Sequence, residues 1–137
     1  MDADDRNCDC SQQEKLRLNE LTERIIGCAY KVCNALGCGF NEKPYENALA
    51  HELRKVGLHV DQQEPLEVWY DGIIVGVYLA DLWVERSIPV ELKVAKAIDD
   101  SHLAQALNQL KATRKRVGLV INFGTPKLGI RRVVNNF

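Results

Sequence analysis

The chain has 137 residues, of which 46% are hydrophobic and 27% charged, and its formal net charge is −1. This length and composition predict one globular domain that buries a core without disulfides or structural metals. The near-neutral charge excludes a polycation, so any nucleic-acid contact must come from a local basic patch. No apolar run approaches the ~20 residues that span a bilayer, and the first residues lack a signal-peptide core. We therefore expect a cytoplasmic protein with no membrane partner.

Two helices are predicted in the first half of the domain. Residues 1–14 are acidic and polar, and we interpret them as a flexible or accessory tail before a single domain of residues 15–137. From residue 18 to residue 36, apolar side chains recur at helical spacing, and glycines follow. Pro44 suits the first turn of a second helix, which we predict over residues 45–56.

A block rich in β-strand signals follows the second helix. Its clearest signal is Asp71-Gly72 between two apolar runs, a pair typical of a tight hairpin turn. The segment 79–84 either continues the strand before it or follows it as a separate strand. The predicted strands of this block are 60–64, 66–70, 73–78, 79–84 and 88–95.

The last part of the chain predicts a helix and two strands. The helix begins near Asp100 or Ser101, both good capping residues, and extends to about Thr113. Residues 117–123 form a nearly continuous apolar run, which indicates a covered central strand, and residues 130–134 form a final strand or edge segment. The order α-α-β-β-β-β-α-β-β predicts an α/β (mixed α+β) fold with a mixed sheet flanked by helices. The crossover between the strands on either side of the third helix should be parallel and right-handed.

Charged residues interrupt two of the predicted strands. Strand alternation puts Glu91 and Lys93 on one face, and Asp81 comes close to Glu91 if the two strands pair around the turn at residues 85–87. Converging carboxylates can hold a divalent cation, and a lysine can orient water or neutralise charge on a phosphate. This chemistry suits phosphodiester hydrolysis. The alternative is a solvated strand face with a weak ion pair; Asp81 in an apolar context strengthens the metal-site interpretation but leaves both interpretations open.

The spacing of these residues resembles a known motif. Nine residues separate Asp81 from Glu91-Leu92-Lys93, as in the core of the PD-(D/E)XK nuclease superfamily. The resemblance extends over about residues 21–134 and points to one branch, the GxxExxY proteins. Matching segments are Gly39 to Tyr45, Glu46 to Leu49, Gln63 with Pro65-Leu66, Tyr70-Asp71-Gly72, Gly76-Val77-Tyr78, Asp81-Leu82, Gln105 with Leu107-Asn108, and Gly118 to Gly124.

This resemblance implies a restriction-endonuclease-like fold and a metal-dependent nuclease that acts on DNA or RNA. It implies Mg²⁺ or Mn²⁺ held by Asp81 and Glu91, with Lys93 as the catalytic lysine. Glu46 matches an acidic residue that many members carry on an early helix, and it is expected to reach the metal. Gln105 matches a glutamine of the third helix that helps to orient the active site or the substrate.

The signature residues Glu42 and Tyr45 have two interpretations. In the first, the acid and the hydroxyl lie behind the metal ligands and support them. In the second, Glu42 complements the helix dipole at a helix N-terminus and Tyr45 packs on the sheet. The residue pattern alone leaves both interpretations open.

Several basic residues are candidates for contact with nucleic acid. Lys96 follows the predicted strand 88–95, and the others follow the third helix or lie near the end of the chain. Together they could line a phosphate-binding surface, although a charge run is often only a solvated helix end. Trp69 and Trp83 could stack on bases, but on alternating strands they fit core or interface positions better. The basic candidates are Lys96, Arg114, Lys115, Arg116, Arg131 and Arg132.

The five cysteines favour reduced thiols over a disulfide framework or a cluster. Their number is odd, and their spacing fits no standard iron–sulfur ligand run, so we expect no iron–sulfur cluster. A second hypothesis for function is non-enzymatic. In this alternative the nuclease fold is catalytically silent and acts as a binding or self-assembling module. Long hairpins and apolar edges favour a homodimer or larger homo-oligomer in either case.

Overall fold

Three helices and five strands follow one another in the part of the chain that the structure describes. The structure is a computed structural model, which describes the backbone of residues 3–137 and the side chains of residues 11–137. The helices are α1 (Ala3–Leu36), α2 (Glu42–Lys55) and α3 (Asp100–Thr113). The strands are β1 (Val60–Tyr70), β2 (Ile73–Val84), β3 (Ile88–Lys93), β4 (Val117–Asn122) and β5 (Gly129–Val134).

The strands form one mixed sheet in the order β1-β2-β3-β4-β5. All neighbouring strands are antiparallel except β3 and β4, which are parallel and joined through α3. This confirms the predicted fold class and the parallel crossover. The sequence had divided β1 at Pro65, but β1 is an edge strand, where a residue without an N–H group is tolerated. The segments 73–78 and 79–84 are likewise one strand, so three strands precede α3.

Helices cover both faces of the sheet. On one face, α1 and α2 pack against alternate residues of β3 and β4, such as Val90 and Leu119. On the other face, Leu110 of α3 packs with Val120 and Val133. Every residue of β4 is buried, as expected for a strand with a neighbour on each side and a helix layer on each face. Leu103 and Leu107 of α3 also pack against this second core.

The helix boundaries differ from the predicted ones for local reasons. The helix α1 is longer than predicted and extends from Ala3 to Leu36. The polar stretch before residue 18 continues the helix because it contains no glycine or proline that would interrupt it. The helix α2 begins at Glu42 rather than residue 45, which still leaves Pro44 in its first turn. The cap of α3 is Asp99, not Asp100 or Ser101. The Asp99 carboxylate accepts the His102 backbone N–H at 2.9 Å, and the Asp99 N–H donates to His102 Nδ1 at 3.3 Å.

The interpretation of residues 1–14 as a tail stays a prediction. The side chains of residues 1–10, including the thiols of Cys8 and Cys10, lie outside the described part of the chain. Within the described residues, none of the helices combines the length and apolar character needed to cross a membrane.

A side-chain clamp fixes the backbone just after β3. The amide of Asn122, buried at the end of β4, accepts the N–H of Ala95 and donates to the Ala95 carbonyl, both at 3.0 Å. The same amide oxygen accepts the Gly124 N–H at 3.0 Å. Gly124 lies so close that a Cβ atom there would be 2.4 Å from the Ala95 backbone. The clamp therefore needs both Asn122 and a glycine at position 124.

We expect Gly124→Ala to lower the free energy of unfolding by about 3 kcal/mol, because the added methyl group meets backbone atoms that cannot move aside. Chemical denaturation monitored by circular dichroism measures this loss. Gly27→Ala is the matched control, since Gly27 lies within α1 with open space around its Cα. That substitution should be neutral or stabilise the protein by up to about 1 kcal/mol. Equal stability of Gly124→Ala and the wild type would contradict the clamp.

Candidate metal-binding site

The candidate site lies at the fork, defined here as the point where β2 and β3 separate. The last residue pair between these strands is Leu82 with Val90. Beyond it, the backbone N–H of Leu92 no longer has a β2 carbonyl as its partner. The carboxylate of Asp81 replaces that carbonyl, and its Oδ2 accepts the Leu92 N–H at 2.8 Å. The fork therefore brings a carboxylate from β2 to the strand that carries Glu91 and Lys93.

Glu91 is an acid of the site whose pKa is raised by its surroundings. Burial raises its pKa to about 7, and the negative charge of Asp81 adds to the increase. The Tyr78 hydroxyl donates a hydrogen bond to Oε1 of Glu91, and the charge of Lys93 opposes the increase in part. Burial and the nearby carboxylates raise the pKa of Tyr78 as well, so the phenol remains a donor. Glu91 and Asp81 are thus close enough to repel each other, as their spacing predicted.

Glu91 and Lys93 line a small cavity under α3. The cavity has a volume of about 50 Å³, and its other polar walls are His102, Gln105 and Gln109. Glu91 and Lys93 project to this side because Val90 and Leu92 point to the opposite, fully packed face. The structure therefore brings together three of the predicted site residues, Glu91, Lys93 and Gln105.

Glu46 is a buried carboxylate on α2, with only 4% of its surface exposed. Burial alone would raise its pKa, but hydrogen bonds from Lys43, Gln62 and Gln63 outweigh that effect and lower it. The Lys43 ammonium lies 2.9 Å from Oε2, and the amide nitrogen of Gln62 lies 2.6 Å from the same oxygen. Glu46 is therefore held in its ionised form inside the fold.

Gln63 connects Glu46 with Asp81. Its amide nitrogen lies 2.6 Å from Oε1 of Glu46 and 3.1 Å from Oδ1 of Asp81. Gln63 also has a φ of 53°, a left-handed backbone conformation inside a strand. One amide group thus bridges the carboxylates of α2 and β2.

The donor set at the fork fits a hard divalent cation. Magnesium typically binds through one or two carboxylates and keeps several waters. Asp81 and Glu91 supply the carboxylates, and Glu46, which shares the Gln63 amide nitrogen with Asp81, supplies a third. Across residues 11–137, no group of three or more His, Cys, Asp or Glu side chains is positioned to hold an ion unaided.

Tyr45 is fully buried away from these carboxylates. Its ring stacks on Phe123 with a centroid distance of 4.6 Å, and its hydroxyl donates to the Gly37 carbonyl at 2.6 Å. The hydroxyl also accepts the Phe40 N–H at 3.3 Å. Glu42 is exposed in the first turn of α2. These are the contacts of the packing interpretation, in which the signature joins α1 to α2.

The predicted basic residues divide into separate groups. Arg114, Lys115 and Arg116 share a groove of about 500 Å³ with Lys111 at the end of α3. The Lys115 ammonium also lies 4.9 Å from the ring centre of Trp83. Lys96 is exposed just beyond the clamped Ala95.

Arg131 and Arg132 project from opposite faces of β5. They pair with Val120 and Leu119, which belong to the two different cores. Arg132 donates to Asn19 at 2.6 Å and lies 4.5 Å from the ring centre of Phe137. The basic residues after α3 and those of β5 therefore do not form one continuous surface.

Some residues that the structure places at the site had no predicted role there. Gln62 and Gln63 are the donors to Glu46, Tyr78 is the donor to Glu91, and His102 lines the cavity. Gln63 and Tyr78 lie in segments of the family resemblance, so their positions were marked but their contacts were not. His102 gave no signal, because its place depends on how α3 crosses the sheet.

The cysteines and tryptophans complete the comparison with the predicted residues. Among the described cysteines, Cys28, Cys33 and Cys38 are free thiols, and the first two are buried in the core. Trp83 is buried, in agreement with the core interpretation, whereas 53% of Trp69 is exposed.

Because the pKa of Glu91 is raised, we expect replacement of Glu91 by a neutral residue to stabilise the protein by an amount that depends on pH. Its pKa is about 7 in the folded protein and about 4.3 in an unfolded chain. Between these pH values Glu91 is protonated in the folded protein but ionised in the unfolded chain. The free energy of unfolding therefore falls as pH rises from about 4.3 to about 7. We expect Glu91→Gln, which still accepts a bond from Tyr78, to raise this free energy by about 1–3 kcal/mol at pH 8 and by little at pH 4.5.

Thermal unfolding at the two pH values measures the effect. Glu23→Gln serves as the control, because Glu23 is exposed on α1 and should show no pH-dependent difference from the wild type. An equal change in melting temperature at both pH values for Glu91→Gln would contradict the raised pKa.

Comparison with known proteins agrees with the fold. A family model described as the PD-(D/E)XK nuclease superfamily matches residues 19–133. No curated protein and no solved structure matches the chain. The family match covers most of the chain, including both strands of the fork, α2 and α3. The chain belongs to the PD-(D/E)XK nuclease superfamily.

Proposed function

We propose that the protein is a metal-dependent nuclease that hydrolyses phosphodiester bonds of DNA or RNA. The observation that carries the proposal is the convergence at the fork. Asp81 lies beside Glu91 closely enough to raise its pKa, and Lys93 lines the same cavity as Glu91. A solvated ion pair would not account for this arrangement, because Glu91 is largely buried, next to another carboxylate, and bonded to a tyrosine.

In this proposal Asp81 and Glu91 hold Mg²⁺ or Mn²⁺, and Glu46 contributes a third carboxylate to the ion from α2. The ion supplies Lewis acidity, which polarises the phosphoryl group and lowers the pKa of water. Lys93 orients the attacking water or neutralises the charge that develops on the phosphate. Gln105 positions the substrate or Lys93 from α3. Hydrolysis forms a bond from the water oxygen to phosphorus and breaks the bond to the leaving sugar oxygen, which takes up a proton.

Nucleic acid is the proposed substrate because basic residues occur outside the site. The groove of Arg114, Lys115 and Arg116 has the charge needed to hold a phosphate backbone, and exposed Lys96 follows the strand of the proposed catalytic lysine. Arg131 contributes from the α3 side of β5. The hydrogen bond of Arg132 to Asn19 and its contact with the Phe137 ring assign it to the fold in this proposal.

Cleavage assays with Mn²⁺ test the nuclease proposal. We expect the wild type to cleave at least one of single-stranded DNA, double-stranded DNA and RNA, and to lose this activity with EDTA. Asp81→Ala and Lys93→Ala should each lower the cleavage rate by at least about 100-fold, because each removes a group that acts on the transition state. Product formation on labelled substrates measures the rate.

Two exposed residues provide matched controls for these variants. Glu23→Ala removes a carboxylate on α1, and Lys127→Ala removes an ammonium on the loop after β4. Both should retain the wild-type rate. Cleavage that survives in Asp81→Ala would assign the activity to a contaminant, and absence of cleavage on every substrate would contradict the enzymatic proposal.

Within the superfamily, we assign the chain to the GxxExxY branch. The signature is complete from Gly39 to Tyr45, and the contacts of Tyr45 with Gly37 and Phe123 give it a physical role. We also infer a cytoplasmic location, since the free thiols of the described cysteines suit a reducing compartment.

A second candidate function is self-assembly, and one surface favours it. The arm, defined here as the part of the β1–β2 hairpin from residue 65 to residue 79, carries much of the exposed apolar surface of the molecule. Exposed large apolar side chains of the arm are Trp69, Tyr70, Ile73, Ile74, Val75, Val77 and Leu79. Their combined exposed area is on the order of several hundred Å², the size at which an apolar patch marks an interaction site.

A second copy of the chain is the proposed partner of the arm. Val77 and Leu79 share one face of the hairpin with Glu67 and Pro65, their partners across the strands. The strand β1 also leaves one edge of the sheet open. An open edge next to an apolar face can pair with its symmetry mate about a two-fold axis, which would close both surfaces. Such a homodimer, or a larger homo-oligomer, is compatible with either function.

Sedimentation velocity tests the proposed assembly. We expect the wild type to sediment as a dimer or larger species, and the double variant Val77→Lys/Leu79→Lys to sediment near the monomer mass of 15.5 kDa. Charged groups on the arm would resist burial in the interface. Val134→Lys is the control, because Val134 is also exposed but lies on β5. A wild type that sediments as a monomer at about 100 µM protein would contradict self-assembly through the arm. At that concentration even an interface with a Kd of about 1 µM would be saturated.

A further inference from the structure

Gln63 occupies a position that a bound cation would contest. Its amide nitrogen donates to Oε1 of Glu46 and to Oδ1 of Asp81, and these are oxygens of two residues to which the nuclease proposal assigns the metal. An ion placed between these two oxygens would need the space that the amide nitrogen occupies. The Gln63 amide nitrogen and an ion in that position therefore exclude each other.

The amide group of Gln63 can serve both states without leaving the site. A glutamine amide carries a donor nitrogen on one side and an acceptor oxygen on the other, and rotation of its last torsion exchanges them. In the metal-free protein, the two carboxylates need a donor between them, and the nitrogen provides it. With an ion present, the carbonyl oxygen is the appropriate atom, because Mg²⁺ and Mn²⁺ prefer oxygen ligands.

The backbone at Gln63 supports a specific role. Its φ of 53° is unusual for a residue other than glycine, and the pairing of Gln62 with Leu82 and of Glu64 with Ala80 continues on either side of it. Strained backbone of this kind persists where the surrounding structure requires it, and it is concentrated at functional sites. The conformation places the Gln63 side chain between α2 and β2, where it reaches both carboxylates.

We propose that Gln63 is a metal-site residue that exchanges its contact atom: the amide nitrogen joins Glu46 to Asp81 in the metal-free protein, and the amide oxygen contacts the divalent ion when it binds. This inference rests on the proposed metal site at the fork. It adds a neutral ligand from β1 to the carboxylates of α2, β2 and β3. It also explains how the metal-free fold keeps Glu46 and Asp81 close together, because the shared donor offsets their repulsion.

Calorimetric titration with Mn²⁺ and no nucleic acid tests the role of Gln63. Gln63→Leu removes both amide atoms and should weaken Mn²⁺ binding by about tenfold or more. Gln63→Glu keeps the shape and supplies a charged oxygen but no donor. It should therefore lower the melting temperature of the metal-free protein while binding Mn²⁺ at least as tightly as the wild type, because ligand charge strengthens the binding of hard cations.

Gln13→Leu is the matched control. Gln13 is a glutamine exposed on α1, a helix that contributes no residue to the fork. Its substitution should leave Mn²⁺ affinity close to that of the wild type. Wild-type affinity in Gln63→Leu would overturn the role of Gln63 and leave the metal site intact. Equal weakening in Gln63→Leu and Gln63→Glu would also overturn it, since a donor alone would then be required.

A measurement on the wild type keeps the inference testable if the variants fail to fold. The side-chain NH₂ signals of Gln63 in ¹⁵N-labelled protein report the atom that faces the carboxylates. Titration with Mg²⁺ should shift these signals and increase their exchange with solvent, because the nitrogen turns away from both acceptors. Unchanged signals at saturating Mg²⁺ would overturn the exchange of contact atoms. Failure of the wild type to bind either ion would instead overturn the metal site itself.

Discussion

The structure depends on which acceptor binds the backbone N–H of β3 beyond the point where β2 separates from it. A buried strand cannot leave an N–H group without an acceptor, and at Leu92 the acceptor is the Asp81 carboxylate. This single bond lets the two strands diverge while β3 remains buried between α2 and α3. The divergence exposes Glu91 and Lys93 to the cavity under α3. Asp81, which stabilises the fork, is thus also one of the residues that we propose bind a cation there.

The three carboxylates of the fork are held by donors from different elements. Asp81 is bonded by Leu92 and Gln63, Glu46 by a lysine and two glutamines, and Glu91 by Tyr78. The fold can therefore form before a cation arrives, with the charges of the acids partly balanced. The pKa of Glu91 is raised because its burial is only partly offset. Binding of a cation at Glu91 would release its proton, since the ligand form is the carboxylate.

The sequence predicted the fold class and the core of the site because both depend on local patterns. Strand alternation and the turn after Val84 were sufficient to place Asp81 next to Glu91. The continuity of β1 through Pro65 was not predictable, because it depends on the edge position of that strand in the finished sheet. The contacts of Gln63, Tyr78 and the arginines of β5 depend on tertiary packing, which no local pattern encodes. For Tyr45, the structure supplies contacts that the signature alone left open.

The account rests on a divalent cation at the fork, and anomalous X-ray scattering from crystals soaked in Mn²⁺ tests this most directly. We predict one strong anomalous peak at about 2.1 Å from carboxylate oxygens of both Asp81 and Glu91, a distance typical of small octahedral cations. The peak should disappear in Asp81→Ala crystals. No peak at the fork with saturating Mn²⁺, or a peak confined to another part of the molecule, would contradict the account.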